Sequence, residues 1–203
     1  MITIVDYNMG NLGSIRNMLL KLGLESEVTA DPARLRHATK LILPGVGSFD
    51  AGMASLEASG LTDILNERVL IQEVPVLGIC LGMQLMTKRS DEGSRHGLGW
   101  IDAETRRFQP SSGAEKIPHM GWNLAHKSHS APLVDRLPEE PRFYFVHSYY
   151  IHCHRPEDVL LTTSYGHDFH SAFHHRNVWG VQFHPEKSHK FGMAILKNFA
   201  ELC

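Results

Sequence analysis

The chain of 203 residues predicts an α/β fold: one domain over residues 1–203, a mostly parallel central sheet flanked by helices, and a nucleophile elbow at the end of one strand. Three observations lead there. Strand and helix signals alternate through the first half, the pattern of a doubly wound parallel sheet. The apolar run Val74-Pro75-Val76-Leu77 leads into Gly78-Ile79-Cys80-Leu81-Gly82 and then the helix-prone Met83-Gln84-Leu85-Met86. A later apolar run, Val178-Trp179-Gly180-Val181-Gln182-Phe183, leads straight into His184-Pro185-Glu186.

Taken in order, Ile2–Val5 is a short apolar strand. Asn8-Met9-Gly10-Asn11-Leu12-Gly13 follows it; this is not a G-x-G-x-x-G fingerprint, and a glycine-containing turn into the first helix is the better reading. Asn11 or Ser14 can cap a helix through Ile15, Met18, Leu19 and Leu22, with Gly23 as its stop. A second strand lies near Glu25–Thr29, and Asp31-Pro32 starts a short helix. Leu41-Ile42-Leu43 is the third strand and ends at Pro44-Gly45-Val46-Gly47. Helical stretches cover about Ala51–Ser59 and Leu61–Leu70 before the fourth strand, Val76–Ile79, reaches the elbow. Ligands of such sheets bind beyond the carboxyl ends of the strands, where both Pro44–Gly47 and Cys80 fall.

The second half changes character. Pro118, Pro132, Pro138 and Pro141 punctuate it, and β-rich runs appear at Arg142–His152, Val159–Tyr165 and Val178–Phe183. A final helix spans about Lys190–Leu202, with Phe191, Ile195, Leu196 and Phe199 on a core-facing stripe. No repeat or long linker divides the chain.

Composition narrows the function class. Hydrophobic content of 42% and charged content of 21% are those of an ordinary globular protein. A formal net charge of −2 without a long basic run offers nothing to nucleic acid or an anionic membrane. Three unevenly spaced cysteines argue against a disulfide framework or a zinc ribbon. The opening Met1–Asp6 enters a strand with no basic or apolar leader pattern, and no run approaches the length of a membrane span. A cytoplasmic protein is expected. Of fourteen histidines, six cluster at His152, His154, His167, His170, His174 and His175. Their spacing matches no helical metal motif, so a solvated surface is expected and no metal.

A lone buried cysteine is usually inert packing. The glycines on either side of Cys80 change that reading, because they let strand and helix approach closely at a sharp turn that holds a nucleophile in a strained conformation. The helix start favours a thiolate. A cysteine nucleophile needs a base and a group to orient it. His184 is pushed into an extended conformation by Pro185, so Glu186 shares its face. Oxyanion donors would be the Leu81 N–H and a backbone N–H of the Pro44–Gly47 loop, from Val46 or Gly47.

Gly78-Ile79-Cys80-Leu81-Gly82-Met83-Gln84 with His184-Pro185-Glu186 resembles the class I (triad) glutamine amidotransferases, essentially end to end. Within that family, four segments look like the glutaminase subunits of imidazole glycerol phosphate synthases: Val5–Leu12, Leu43–Gly47, Pro118–Asn123 and Phe143–Tyr149. The resemblance implies a single glutamine amidotransferase domain that hydrolyses glutamine to glutamate and ammonia without a cofactor. Cys80 would be the nucleophile, His184 the base and Glu186 its orienting acid. Gly47, Gln84, Glu92, Ser148 and Tyr149 would hold glutamine. It further implies a heterodimer with a (β/α)8-barrel cyclase subunit, faced by Met120, Trp122 and Tyr144. That partner would use the ammonia to make imidazole glycerol phosphate and AICAR in histidine biosynthesis.

Two departures keep other acceptors open. Asn8 stands where that group usually has glycine, and Ser188-His189-Lys190-Phe191-Gly192 with the His-rich second half resembles paralogues that supply ammonia to amidate a surface-polysaccharide sugar. A peptidase-like cysteine hydrolase and an inactive binding module are the competing classes. Gln84 four residues after Cys80, and the intact Cys, His and Glu set, favour the amidotransferase.

Overall fold

The first half of the chain alternates as expected in the computed structural model, which describes residues 1–109 and 115–203. Its elements are β1 (Ile2–Val5), α1 (Leu12–Lys21), β2 (Ser26–Thr29), α2 (Pro32–Leu35), β3 (Leu41–Leu43), α3 (Phe49–Ala58), α4 (Thr62–Asn66) and β4 (Val76–Ile79). Ile15 and Leu19 on α1 are buried, and the helix stops before Gly23, whose φ of +71° is the left-handed stop a glycine accepts. Asn11 occupies the N-cap position without a side-chain cap bond, whereas Asp31 does cap α2 through Ala33 N–H at 2.8 Å. Asn8 sits at φ +64° and donates its N–H to Asp6 Oδ1 at 3.0 Å. Asparagine tolerates that left-handed conformation better than most residues, which suits it to this turn.

The remaining elements are α5 (Leu81–Leu85), β5 (Ala103–Arg107), β6 (His119–Leu124), β7 (His126–Lys127), β8 (Arg142–His147), β9 (Tyr149–Cys153), β10 (Val159–Tyr165), β11 (His167–His175), β12 (Val178–Val181) and α6 (His189–Leu202). The main sheet runs β2–β1–β3–β4–β12–β11–β10–β7. Strands β2 to β12 of that order pair in parallel, and every residue of β1, β4 and β12 is buried. That is the profile of strands covered on both faces. From β11 onwards the pairing is antiparallel. Short connections dictate this: Gly166 at φ +72° and Arg176 at φ +54° turn the chain within a few residues, too few for a parallel crossover.

The β-rich run read as Arg142–His152 divides at Ser148. Its first part, β8, pairs with β6 in a separate two-stranded sheet, and its second part, β9, pairs with β5 and β11. Two buried cores lie on the faces of the main sheet. One contains Phe49, Met53, Leu56, Leu81 and Phe173; the other contains Ile15, Leu19, Phe143, Phe183, Ile195 and Phe199. Each fully buried side chain of this size contributes about 1.5–3 kcal/mol. Among the described residues, no helix is long and apolar enough to cross a membrane.

The placement that matters most is β12 beside β4. Their parallel register pairs Val181 with Ile79, so the chain leaves both strands at the same edge, at Cys80 on one side and at Gln182 and His184 on the other.

Candidate active site

Cys80 has φ +53° and ψ −111°, a conformation L-residues rarely adopt. Its N–H donates to Val181 O at 2.9 Å, which ties the turn to the neighbouring strand. The flanking glycines are sterically required. A Cβ on Gly78 would lie 2.7 Å from Met83 Cα, and one on Gly82 would lie 1.8 Å from Leu43 O. Strained backbone of this kind persists only where its surroundings hold it.

His184 is extended, with φ −98° and ψ 99°, and Pro185 opens a short 3-10 turn through Lys187. Its Nδ1 lies 2.8 Å from Glu186 Oε1, with the two side chains 3% and 1% exposed. A carboxylate only accepts, so Nδ1 carries the proton. Nε2 is buried and has no nitrogen or oxygen partner among the described residues, so the group it faces is the Cys80 sulfur. Burial disfavours the imidazolium, but the Cys80 sulfur and Glu186 outweigh it and raise the His184 pKa to about 9. The arrangement keeps a positive ring beside the sulfur at neutral pH, the setting that activates a thiol.

The Pro44–Gly47 loop crosses the opposite side. Tyr7 Oη donates to Pro44 O at 2.5 Å, and the Leu81 N–H donates to Gly45 O at 3.3 Å. Thus one expected oxyanion donor is already engaged by a loop carbonyl. Gly47 has φ +108° and Val46 is 43% exposed, so the segment carries little packing that resists a peptide turn.

A cavity of about 350 Å³ opens over the sulfur. Its lining includes Val46, Gly47, Cys80, Leu81, Gln84 and Glu92 from the first half of the chain and Ser148, Tyr149 and His184 from the second. All the residues expected to hold glutamine therefore face one space. Glu92 Oε2 also accepts the Phe49 N–H at 2.7 Å, which fixes its carboxylate at the start of α3. Gln84 Nε2 donates to Tyr149 O at 3.3 Å and to Gln182 Oε1 at 3.0 Å.

Met120 and Trp122 are 62% and 46% exposed on β6. Tyr144 is cross-strand partner to Trp122, their rings 6.2 Å apart. Trp122 also stacks on His189 at 5.5 Å. The patch adjoins the cavity, because Pro118, just before β6, and Val146, the cross-strand partner of Met120, line it. The His-rich segment is not the solvated surface expected: His154 is exposed, but His152, His167, His170, His174 and His175 are half-buried on paired strands, and burial lowers the pKa of His152, His170 and His174. Among the described residues no group of three or more His, Cys, Asp or Glu could hold a metal.

The sequence reading did not single out Gln182, whose Nε2 lies 3.8 Å from the Cys80 sulfur, nor His147 and Lys187, which line the cavity. Gln182 carried one usable signal: a polar residue inside an apolar run that ends at the presumed base. Chemically, a buried thiol, an imidazole held by a carboxylate and a pocket of amide, hydroxyl and carboxylate groups suit acyl transfer from a small polar amide.

Comparison with known proteins gives the same direction. Residues 3–202 match the family described as Glutamine amidotransferase class-I. The chain is 55% identical to Imidazole glycerol phosphate synthase subunit HisH 2 of Methanococcus maripaludis, over 98% of each chain. It is 49% identical to the Pseudomonas aeruginosa protein of the same name and 48% identical to subunit HisH of Bdellovibrio bacteriovorus, over 100% of each chain. In fold it is similar to a crystal structure of a glutamine amidotransferase, with TM-score 0.77 and 18% identity, covering 100% of this chain and 98% of that one. The PurLQS structure from Thermotoga maritima gives TM-score 0.75 and 17% identity, covering 98% and 96%.

Proposed function

The chain belongs to the class I glutamine amidotransferase family, and on that premise we propose that it hydrolyses glutamine and delivers the ammonia to a (β/α)8-barrel cyclase subunit bound as a heterodimer. The observation that carries the first half is the convergence of Cys80 and the His184–Glu186 pair on one cavity lined by Gly47, Gln84, Glu92, Ser148 and Tyr149. The Cys80 sulfur adds to the side-chain carboxamide carbon of glutamine, forming a C–S bond and an oxyanion. Collapse breaks the C–N bond as His184 gives its proton to the departing nitrogen, which leaves as ammonia. Water then adds to the thioester while His184 takes its proton, and glutamate departs with the thiol restored. Glu186 keeps the imidazole oriented and stabilises its charge.

The oxyanion would be held by the Leu81 N–H and by an N–H of the loop, Val46 or Gly47, once the Gly45 carbonyl turns away. In the resting geometry that carbonyl occupies the Leu81 donor. A loop turn triggered by the acceptor-loaded partner would make hydrolysis conditional on a waiting acceptor.

For the second half, the relatives named as subunits of imidazole glycerol phosphate synthase supply the support. On this reading the barrel adds ammonia to a phosphoribulosyl aminoimidazole-carboxamide nucleotide, giving imidazole glycerol phosphate and AICAR. The patch of Met120, Trp122 and Tyr144 is the docking face. Exposed Met120 and Trp122, with the half-buried Tyr144 ring edge-on to Trp122, are suited to a buried interface centre. The deciding experiment is assay of glutamate and ammonia release by the chain alone, with the barrel, and with barrel and acceptor. Release in the loaded complex supports the reading; none in any of the three removes it.

A further inference from the structure

Tyr149 presents a backbone carbonyl that accepts hydrogen bonds from two sides, from His147 Nδ1 at 2.7 Å and from Gln84 Nε2 at 3.3 Å. A carbonyl can only accept, and this fixes every proton in the two side-chain runs that meet there. On one side His147 must donate from Nδ1, so its Nε2 is an acceptor when the ring is neutral. His119 Nδ1, 2.9 Å away, is then the donor, and His119 Nε2 accepts from the Asn123 amide at 3.3 Å. On the other side Gln84 must present its NH2 group, so Gln182, 3.0 Å away, must present its oxygen. The Gln182 NH2 group is thereby turned to the Cys80 sulfur at 3.8 Å.

The directions exclude a proton wire. Both runs end as donors on the same carbonyl, so no proton can pass from Asn123 to Cys80. What the array can do is hold positions. His119 and His147 are 3% and 6% exposed among the rings of Phe108, Phe145 and Phe169. Burial keeps both rings neutral, with pKa values of about 4 and about 3. The strand that carries His119 and Asn123 on this side, β6, turns Met120 and Trp122 outward on the other.

We propose that His147 is a positioning residue that, through the Tyr149 carbonyl, ties the placement of Gln84, and through Gln182 the placement of the Cys80 sulfur, to the seating of β6. The outer face of β6 is the presumed docking patch, so contact there and the shape of the substrate pocket share one mechanical link. The inference rests on the glutaminase reading and names how its pocket is held.

Two variants of the full chain separate this from simple packing. Asparagine places its side-chain amide near the Nδ1 position of histidine, so His147→Asn retains a donor to the Tyr149 carbonyl. Glutamine reaches the Nε2 position instead, so His147→Gln keeps the contact with His119 and drops the carbonyl. The readouts are labelling of Cys80 by a glutamine-derived diazoketone, in which the sulfur displaces dinitrogen, labelling by iodoacetamide, and the thermal midpoint. Diazoketone labelling should fall about tenfold in His147→Gln, the scale of one lost buried hydrogen bond, and stay within about threefold of wild type in His147→Asn. Equal losses in the two variants would overturn the proposal. If His147→Gln does not fold, His119→Asn, which keeps the donor to His147, is compared with His119→Leu. Asn should label faster than Leu, and equal rates would again overturn it. Wild-type Cys80 that the diazoketone labels no faster than iodoacetamide would instead remove the glutaminase reading. The iodoacetamide rates of the two His147 variants then decide the proposal alone, with the same ordering required.

Discussion

Leu81 gives its backbone N–H to the Gly45 carbonyl at 3.3 Å. The donor best placed to receive an oxyanion is thus occupied by the loop that should supply the second one. Losing an oxyanion donor costs about 10²–10³ in turnover, or roughly 3–4 kcal/mol. The isolated subunit is therefore expected to hydrolyse glutamine slowly, and the acceptor-loaded complex much faster. Val46→Pro removes the loop N–H, so this variant should stay slow in the loaded complex while affinity labels still reach Cys80. A Val46→Pro complex with full turnover would place the second donor elsewhere.

The triad members should not contribute equally. On the proposed mechanism His184 moves the proton, whereas Glu186, 2.8 Å from Nδ1, holds the ring and supports its charge. Removal of an orienting acid can be milder than removal of the base, by about 10² in a well-studied hydrolase triad. Glu186→Gln should accordingly retain measurable turnover where His184→Ala retains little. Single-turnover glutamine hydrolysis measures this, and equal losses would mean the roles are misassigned.

Acid stability should be set first by histidines. Burial holds His119, His147 and His170 at pKa values of about 4, about 3 and about 4, all below the ordinary histidine value of 6.5. Their folded-state values are depressed, so the unfolded chain binds protons first. Their contribution is complete above pH 6.5 and is lost as pH drops from there towards about 4. His184, raised to about 9, instead contributes most below pH 6.5 and loses its share as pH rises towards about 9. The Asp102 carboxyl, lowered to about 2 by Lys88 and His154, adds its loss only in stronger acid. Urea midpoints at pH 7, 6 and 5 should decline steadily; a flat profile over that range would contradict neutral burial of the three rings.

Trp122 is half exposed yet held by His189 at 5.5 Å and by Tyr144 at 6.2 Å, so it presents a fixed aromatic face. Trp122→Ala should weaken association with the barrel or let ammonia escape to solvent. Sedimentation and the ratio of glutamate formed to nitrogen transferred report these two losses. Wild-type values for both would move the interface away from β6.

Much of this was legible in the sequence wherever a local rule was decisive. The parallel strands read clearly because β1, β4 and β12 are buried on both faces and so form unbroken apolar runs. Cys80 stood out because Gly78 and Gly82 are demanded by the contacts of strand with helix, and that demand leaves a fixed spacing. The split at Ser148 was not visible, since β8 and β9 are consecutive extended segments and only their partners, β6 and β5, put them in different sheets. The link between His119 and His147 spans 28 positions and exists only through the pairing of β6 with β8. Gln182 likewise gains meaning only from the register that lays Val181 beside Ile79.

The central claim is that Cys80 acts on the glutamine amide and on nothing else. Its most direct test is product formation by the Cys80→Ala subunit in complex with the barrel and acceptor, using glutamine or an ammonium salt as nitrogen source. The expected result is loss of glutamine-dependent synthesis with ammonium-dependent synthesis at the wild-type rate. Equal loss with both donors, or continued synthesis from glutamine, would contradict it.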